Sequence, residues 1–500
     1  MGIVESVQTG FEVVFQPINL FYCFLGVLVG MVVGVLPGLG ASATIALLLP
    51  LTFALGPEAS IIMLAGIYYG SIYGGTITAI LLQLPGEANS AVTVIDGHPL
   101  GQQGRAGPAM GIAAIGSFIG GTVSIIGLTL FAPLLARVAV TFGPPEYTAL
   151  TVLGILLVTY LGTKSVAKSL IIAAFGLVLA TVGQDPVTGS ARFTFGVTPL
   201  LSGLDFVAIA MGVFGLGEIL YNLEQRIRSE DATTRVDHIL PTMADFVQTR
   251  FTMIRGAILG FFIGILPGGG GVVSSLASYG IEKRLASEPE RFGKGAIEGV
   301  AGPETANNAG ATSAFIPLLV LGIPANAVTA LLFGALLLQG ITPSPQLIQQ
   351  EPELFWGVVN SMYIGNFFLL IMSIPLIGVF VQLLRVRMSI LAPVAVMVTM
   401  VGIFSLNNNV FDMWVMLTFG VIGYIMRKTG FEPGPLVLAF VLGSIMERAF
   451  RQSLLLSNGD PLIFVTRPGS AILLGVAALV VMVPVIQYFR RGTSNESEEA

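Results

Sequence analysis

Charged residues are scarce in this chain of 500 amino acids. Only 10% of the residues are Asp, Glu, Lys or Arg, while 54% are hydrophobic, and the mean hydropathy is +0.87. A soluble domain usually carries about 25% charged residues, so this chain lacks the polar surface that water requires. The composition excludes a soluble enzyme, a nucleic-acid-binding domain and a disordered scaffold. It indicates that membrane lipid surrounds most of the chain.

Cysteine and histidine are almost absent. Cys23 stands alone and has no partner for a disulfide within the chain, which excludes a disulfide-stabilised secreted fold. His98 and His238 are the only histidines, which excludes a bis-His haem group and an H-E-x-x-H zinc site. A G-x-x-x-x-G-K-[ST] motif is also missing, so the chain holds no ATP-driven motor. We therefore predict no catalytic residue, no firm metal site and no cofactor beyond a coupling ion.

Long stretches of the chain carry no charge. No Lys or Arg precedes Arg105, no charged residue lies between Glu58 and Glu87, and residues 305–350 are free of charge. About 20 apolar residues cross a bilayer as a helix. We therefore predict an all-α, polytopic integral membrane protein with about ten to twelve transmembrane helices, plus broken or re-entrant helices.

The chain contains an internal repeat. Residues 24–40 align without gaps with residues 254–270, and most of the identical positions are Gly or Pro. The identities are Gly26, Gly30, Gly34, Leu36, Pro37, Gly38 and Gly40, which fall on Gly256, Gly260, Gly264, Leu266, Pro267, Gly268 and Gly270. The glycines form a side-chain-free stripe that lets a neighbouring helix approach closely. Similar halves are typical of secondary transporters.

The repeat divides the chain into five predicted segments. Residues 1–16 have the pattern of an amphipathic helix on the membrane surface, although a frayed terminus is the alternative. Residues 17–222 and 253–490 are two membrane repeats, residues 223–252 are a polar linker, and residues 491–500 are a polar tail. The arginines of the linker place it in the cytoplasm. The lack of basic residues near the N-terminus favours inverted over parallel repeats.

A Pro-Gly-x-Gly sequence ends each glycine stripe. Pro and clustered Gly stop a helix where the hydropathy still indicates membrane depth, at Pro37 and at Pro267. Paired breaks at matching places in two halves are the best sequence indication of a transporter's binding site. The N-terminus of the helix that resumes after a break offers free amides and partial positive charge, which suit a carboxylate.

Polar residues cluster around these breaks. Any single Ser or Thr among them has a structural alternative, a hydrogen bond from its hydroxyl to its own helix. Together they are predicted to bind substrate. The candidates are Pro37, Gly38, Gly40, Ser42, Thr44, Asn89, Pro267, Gly268, Gly270, Ser274, Ser275, Asn307, Asn308, Thr312 and Asn326.

Two acidic residues lie close to the breaks. Glu87 and Glu304 are candidates for binding the coupling ion, because an ionisable group at membrane depth is costly and is functional by default. A position at the level of the lipid headgroups is the alternative for both residues.

Residues 34–50, 68–87, 264–271 and 298–327 resemble the large membrane subunit of the tripartite tricarboxylate transporters. The resemblance extends from about residue 15 to 485. It implies a permease of the bacterial inner membrane that works with a small membrane subunit and a periplasmic solute-binding protein. The family's substrates are citrate and related carboxylates, imported with a Na⁺ or H⁺ gradient.

The family's motif residues match positions in this chain. They fall on residues 37–42 and 267–271 and on Glu304, Asn307, Asn308, Pro324 and Asn326. The chain departs from the family pattern at Gly271, where Ala is common, and the extra glycine loosens the backbone there.

Three alternatives to this function stay open at the level of sequence. They are a passive anion channel, a carboxylate transporter that works without a binding protein, and a membrane scaffold. A channel would show neither accumulation against a gradient nor dependence on a cation, and a scaffold would not need duplicated helix breaks. The sequence allows a homo-oligomer and does not identify the carboxylate.

Overall fold

The computed structural model describes residues 2–36, 40–83, 85–161, 165–225, 240–373, 375–383 and 388–496. Its first half contains helices α1 (Ile3–Val14), α2 (Pro17–Val35), α3 (Ala41–Thr52), α4 (Pro57–Leu82), α5 (Thr93–Leu100), α6 (Ala106–Ala139), α7 (Pro144–Leu161), α8 (Val166–Leu179), α9 (Phe206–Ala210) and α10 (Gly217–Gln225). Strands β1 (Gly183–Gln184) and β2 (Ala191–Arg192) pair as an antiparallel hairpin between α8 and α9.

The second half is also helical. It contains α11 (Met243–Ile265), α12 (Gly270–Leu285), α13 (Glu298–Ser313), α14 (Ala327–Leu338), α15 (Leu347–Gln350), α16 (Pro352–Ser373), α17 (Ile377–Leu383), α18 (Met388–Asn407), α19 (Val410–Lys428), α20 (Gly434–Leu456), α21 (Ile463–Thr466) and α22 (Pro468–Glu496). Short 3₁₀ turns span Ala88–Ala91, Thr198–Ser202 and Pro289–Arg291, and π-helical turns span Gly101–Arg105, Met211–Leu216 and Pro317–Leu321.

The fold class predicted from the sequence is confirmed. Within the described ranges, 7 helices are long and apolar enough to cross a membrane, and shorter apolar helices accompany them. Two of these short helices are only 12 residues long: α3 follows the break at Pro37, and α14 follows a further break in the helices at Pro324. A 12-residue helix spans about 18 Å, which is less than the bilayer core. The chain is an all-α, multi-pass membrane protein with half-length helices at the breaks.

The glycine stripes pack in the same way in both halves. A Cβ on Gly30 would lie 2.4 Å from the carbonyl oxygen of Ile67 in α4, and a Cβ on Gly260 would lie 2.3 Å from that of Ala306 in α13. Gly26, Gly34 and Gly264 make equally close approaches, and a Cβ on Gly256 would lie 2.8 Å from the carbonyl oxygen of Gly302. In each pair the contacting residue numbers rise together, so α2 runs parallel to α4, and α11 runs parallel to α13. The helix between each pair, α3 or α12, therefore returns towards the start of its repeat.

The two returning helices leave the middle of α4 in opposite directions. Helix α3 starts beside Glu87, which accepts a hydrogen bond from Ser71 in the middle of α4, and it ends just before α4 begins. Helix α12 runs towards the other end of α4: its Tyr279 hydroxyl donates to Asp96 (2.9 Å), and the residue after Asp96 lies against Ile80. This arrangement is that of inverted repeats.

Two helices cross the predicted segment boundaries, and α1, which stays within residues 1–16, packs on another helix. Helix α1 packs on α16, where a Cβ on Gly10 would lie 2.4 Å from the carbonyl oxygen of Trp356. Helix α11 begins inside the predicted linker 223–252, because Thr242 and Asp245 form a capping box (Asp245 N to Thr242 Oγ1, 3.2 Å). Helix α22 extends to Glu496, into the predicted tail 491–500.

Candidate functional site

At the first break, an acidic side chain occupies the start of the resumed helix. Gly40 is the N-cap of α3, and the Ala41 amide donates to Glu87 Oε1. Ser71 Oγ of α4 donates to the same oxygen at 3.2 Å. A carboxylate satisfies an otherwise unpaired amide at a helix N-terminus and opposes the helix dipole there. Glu87 therefore occupies the N-terminus of α3, where the sequence analysis predicted a substrate carboxylate.

At the second break, left-handed glycines turn the chain into α12. Gly268 has φ of +79° and donates its amide to the Ala325 carbonyl (2.7 Å), which joins this break to the one that precedes α14. Pro267 lies in the same turn. Gly270, with φ of +42°, begins α12, and a Cβ there would lie 3.6 Å from Asn326 Nδ2. The neighbour of the α12 N-terminus is thus a neutral amide.

Asn326 connects the two repeats. Its Oδ1 accepts from Thr329 N (2.9 Å) and caps α14. This bond holds Asn326 in its extended conformation directly before the short helix. Its Nδ2 donates to the hydroxyl of Tyr68 in α4 (3.1 Å). The side chain therefore stands between the start of α12, the start of α14 and the middle of α4.

Asn307 points at the start of α12 without a partner. Its side chain is fully buried on α13, and neither Nδ2 nor Oδ1 has a hydrogen-bond partner within the described residues. A Cβ added at Gly271 would lie 2.2 Å from Asn307 Oδ1 and 3.0 Å from Asn89 Oδ1. A buried unpaired amide costs about 1–3 kcal/mol. Two amides from different repeats thus converge on the N-terminal turn of α12, and one of them is unsatisfied.

Four of the predicted site residues make hydrogen bonds within the protein. Ser274 Oγ donates to the Gly270 carbonyl (2.7 Å), and Thr44 Oγ1 donates to the Gly40 carbonyl (3.0 Å). Ser275 Oγ donates to the Pro303 carbonyl at 3.1 Å, and Asn308 Nδ2 donates to Ser117 Oγ of α6 at 2.8 Å. The hydroxyls of Ser274 and Thr44 follow the structural alternative that the sequence left open.

The remaining candidates are placed as follows. Ser42 lies half-buried in the first turn of α3, and Thr312 is buried near the end of α13. Pro37 and Gly38 lie outside the described residues.

Glu304 is buried between the repeats. Its carboxylate, on α13, is fully inaccessible and accepts from Thr76 Oγ1 of α4 (2.8 Å) and from Thr93 Oγ1 of α5. No Lys, Arg or His of the described residues forms an ion pair with it. A buried carboxylate without a cation is costly unless a proton or a metal ion accompanies it. The carboxylate is thus enclosed by protein rather than exposed at a surface.

Several residues that bind the candidate side chains were missed from the sequence. Tyr68 binds Asn326, Ser71 binds Glu87, and Thr76 and Thr93 bind Glu304. The repeat could have identified Tyr68, because aligning Pro85 with Pro324 places Tyr68 on Asn307. Thr76 and Thr93 carry no such signal, because hydroxyls in apolar helices usually bond to their own backbone.

A separate cavity of about 760 Å³ lies away from this cluster, between α7, α14 and α20. Phe206, Phe333 and Phe440 line it together with Arg448. None of the predicted site residues borders it. The polar cluster around the breaks is instead closely packed, as the short contacts at Gly271 show.

Comparison with known proteins gives one family. The model of the family described as "Tripartite tricarboxylate transporter TctA family" matches residues 20–438. It is a transporter family, which confirms the expectation that the chain is not an enzyme, and its members work with other subunits of a tripartite system. No solved structure matches the chain.

Two relatives from Agrobacterium vitis are similar over most of their lengths. An uncharacterized 52.8 kDa protein in the TAR-I ttuC' 3' region is 49% identical over 490 residues, 98% of this chain and 98% of the relative. An uncharacterized protein in the TAR-II ttuC' 3' region is 48% identical over 231 residues, 46% of this chain and 96% of the relative. The family match covers the breaks and the residues around them. The chain therefore belongs to the tripartite tricarboxylate transporter TctA family.

Proposed function

We propose that this chain is the permease of a three-component importer of carboxylates, citrate or related acids, in the bacterial inner membrane. A periplasmic binding protein delivers the substrate, a small membrane subunit completes the complex, and a Na⁺ or H⁺ gradient drives uptake. The observation that carries the proposal is the cluster at the start of α12, where Asn89 and the unpaired Asn307 of different repeats face the helix N-terminus.

The cluster offers the groups that a carboxylate requires. The first amides of α12 have no partner within their own helix, and the helix dipole adds partial positive charge. Asn307 Nδ2 supplies a further donor that is fully buried and has no protein partner within the described residues. Hydrogen bonds to a charged group contribute about 1.5–3 kcal/mol each. A substrate carboxylate thus satisfies groups that are costly to leave unpaired.

Glu304 is the proposed binding site of the coupling ion. Its carboxylate is buried with two threonine hydroxyls around it, and hydroxyl and carboxylate oxygens are ligands for a hard cation or carriers of a proton. Because Thr76 and Thr93 belong to the first repeat and Glu304 to the second, binding an ion there joins the two repeats. We expect Glu304 to affect the cation dependence of uptake.

The test is uptake of labelled citrate into proteoliposomes that contain the three components. Wild type is expected to accumulate citrate above the outside concentration only with an imposed Na⁺ or H⁺ gradient. Gly271→Val places a branched side chain against Asn307 Oδ1, which a Cβ at this position already approaches closely, and is expected to raise KM at least tenfold. Gly280→Val, in the same helix but with open space around the added Cβ, is the matched control.

Two results would contradict the proposal. Uptake that stops at equal concentrations and ignores the gradient would identify a passive anion channel. An unchanged KM in Gly271→Val, with normal amounts of folded protein, would show that the substrate does not bind at the start of α12.

A further inference from the structure

Glu87 and Asn326 occupy equivalent positions in the two repeats. Each stands two residues after a proline, in Pro85-Gly86-Glu87 and in Pro324-Ala325-Asn326. Each also lies beside the start of the returning helix of its own repeat. Glu87 lies 3.2 Å from a Cβ added at Gly40, and Asn326 lies 3.6 Å from a Cβ added at Gly270. Gly40 and Gly270 are identical positions of the repeat.

The two equivalent positions differ in charge. In the first repeat the α3 N-terminus is occupied by the Glu87 carboxylate, which accepts from the Ala41 amide and from Ser71. In the second repeat the α12 N-terminus faces neutral side chains, and Asn307 beside it has no partner within the described residues. Of two equivalent anion-binding ends, one is therefore already occupied by the protein's own carboxylate.

We propose that Glu87 determines how many negative charges the substrate site accepts. This inference rests on the proposed function and adds a specificity-determining residue to it. The α12 N-terminus docks one substrate carboxylate. In its ionised form, Glu87 opposes a further carboxylate directed at the α3 end, because like charges at short distance in a low-dielectric site repel strongly. Glu87 thereby discriminates against the more highly charged of two similar acids.

The experiment compares two acids that differ by one carboxylate. Propane-1,2,3-tricarboxylate and pentanedioate share the same carbon chain between their terminal carboxylates. Binding to the purified full-length chain in lipid nanodiscs is measured by calorimetry, at a pH at which all carboxyl groups are ionised. In Glu87→Gln the ratio of the tricarboxylate Kd to the dicarboxylate Kd is expected to fall about tenfold, which corresponds to about 1.4 kcal/mol.

Two variants control for indirect effects. Glu58→Gln removes a carboxylate from the first turn of α4, away from the cluster, and is expected to leave the ratio unchanged. In the double variant Glu87→Gln with Ala41→Pro, the donor amide of α3 is gone, and most of the gain is expected to disappear. Proline is well tolerated at this first helical position, since Gly40 before it is extended (φ −81°, ψ 178°).

An unchanged ratio in Glu87→Gln, or an equal shift in Glu58→Gln, overturns the inference. If Glu87→Gln fails to fold, Glu87→Asp replaces it, because this change withdraws the carboxylate by one methylene. The ratio of the two Kd values is then expected to fall by a smaller factor. An unchanged ratio in Glu87→Asp also overturns the inference. Uptake by the wild-type complex separates the two levels of the argument. If no carboxylate is accumulated, the proposed function fails and this inference with it. Normal uptake with an unchanged ratio removes this inference alone.

Discussion

Asn307→Leu is expected to make the protein more stable and unable to bind its substrate. Leucine has nearly the shape of asparagine, so the change removes two buried polar atoms that have no partner within the described residues. Such orphan atoms cost about 1–3 kcal/mol. Their removal is expected to raise the melting temperature of the substrate-free protein by roughly 1–4 °C. A residue whose removal stabilises the fold is retained for its function.

The neighbouring asparagine provides the matched control. Asn308 is also buried, but its Nδ2 donates to Ser117 Oγ (2.8 Å) and to the Glu304 carbonyl (3.1 Å). Asn308→Leu breaks both bonds and leaves buried groups unpaired, so it is expected to lower stability by about 1–3 kcal/mol. Two adjacent residues of the same type thus have opposite expected effects.

The assay is thermal unfolding of the purified protein in detergent, with and without carboxylate. At a ligand concentration of about 100 Kd, binding stabilises the folded state by about 2.7 kcal/mol. Wild type is expected to show this gain, and Asn307→Leu is expected to show none. If Asn307→Leu melts as early as Asn308→Leu and still gains stability from the ligand, then Asn307 is a structural residue and the proposed binding site is wrong.

Three further outcomes are expected. Gly260→Ala brings a methyl group to within 2.3 Å of the Ala306 carbonyl oxygen, so the backbone must move, and the change is expected to destabilise the protein by about 1–3 kcal/mol. Gly280→Ala has open space around the new methyl group and is expected to leave stability unchanged. Thermal unfolding of both variants is the measurement. Glu304→Gln removes the buried charge and is expected to abolish the dependence of citrate uptake on the cation gradient, and a gradient dependence like that of wild type would rule out Glu304 as the coupling residue. The backbone amides of Thr188 and then Val187 hold the pKa of Asp185 well below its usual value, and the Arg451 guanidinium adds to this. Because the folded pKa is depressed, the stabilisation is present above the unfolded pKa of about 3.9 and is lost as the pH falls through the folded pKa. The protection factors of the amides in residues 183–192, each corrected for its intrinsic exchange rate at that pH, should therefore decrease at about pH 3 in wild type and change little with pH in Asp185→Asn.

Local pattern was sufficient for much of the architecture. The glycine spacing at 26, 30 and 34 predicted a close helix contact, and a Cβ on any of these residues would collide with the carbonyls of α4. Helix contacts of this kind depend on period and residue size, which the sequence displays directly. The break at Pro267 likewise follows from proline and glycine, whose backbone preferences are local.

The roles of the polar residues were less predictable. Ser274 and Asn307 both belong to the predicted cluster, but Ser274 bonds to its own helix while Asn307 has no partner within the described residues. Both Ser274 and Asn307 lie near breaks in the sequence, and their spacing does not show which of the two side chains has a hydrogen-bond partner. Only the packing of α12 against α13 decides which side chain is satisfied.

The sequence by itself determined that lipid surrounds the chain, that the fold is helical and that the helix breaks are repeated. Hydropathy, residue size and proline act over a few neighbouring positions, so the sequence displays them directly. Tertiary structure decided which groups face each other at those breaks. The bond from Asn326 to Tyr68 joins residues 258 positions apart. The carboxylate of Glu87 fills the end of a helix that begins 46 positions earlier, at Ala41. Such partners are set by how distant parts of the chain pack together, and a pattern along the sequence does not give the distance in space between two residues.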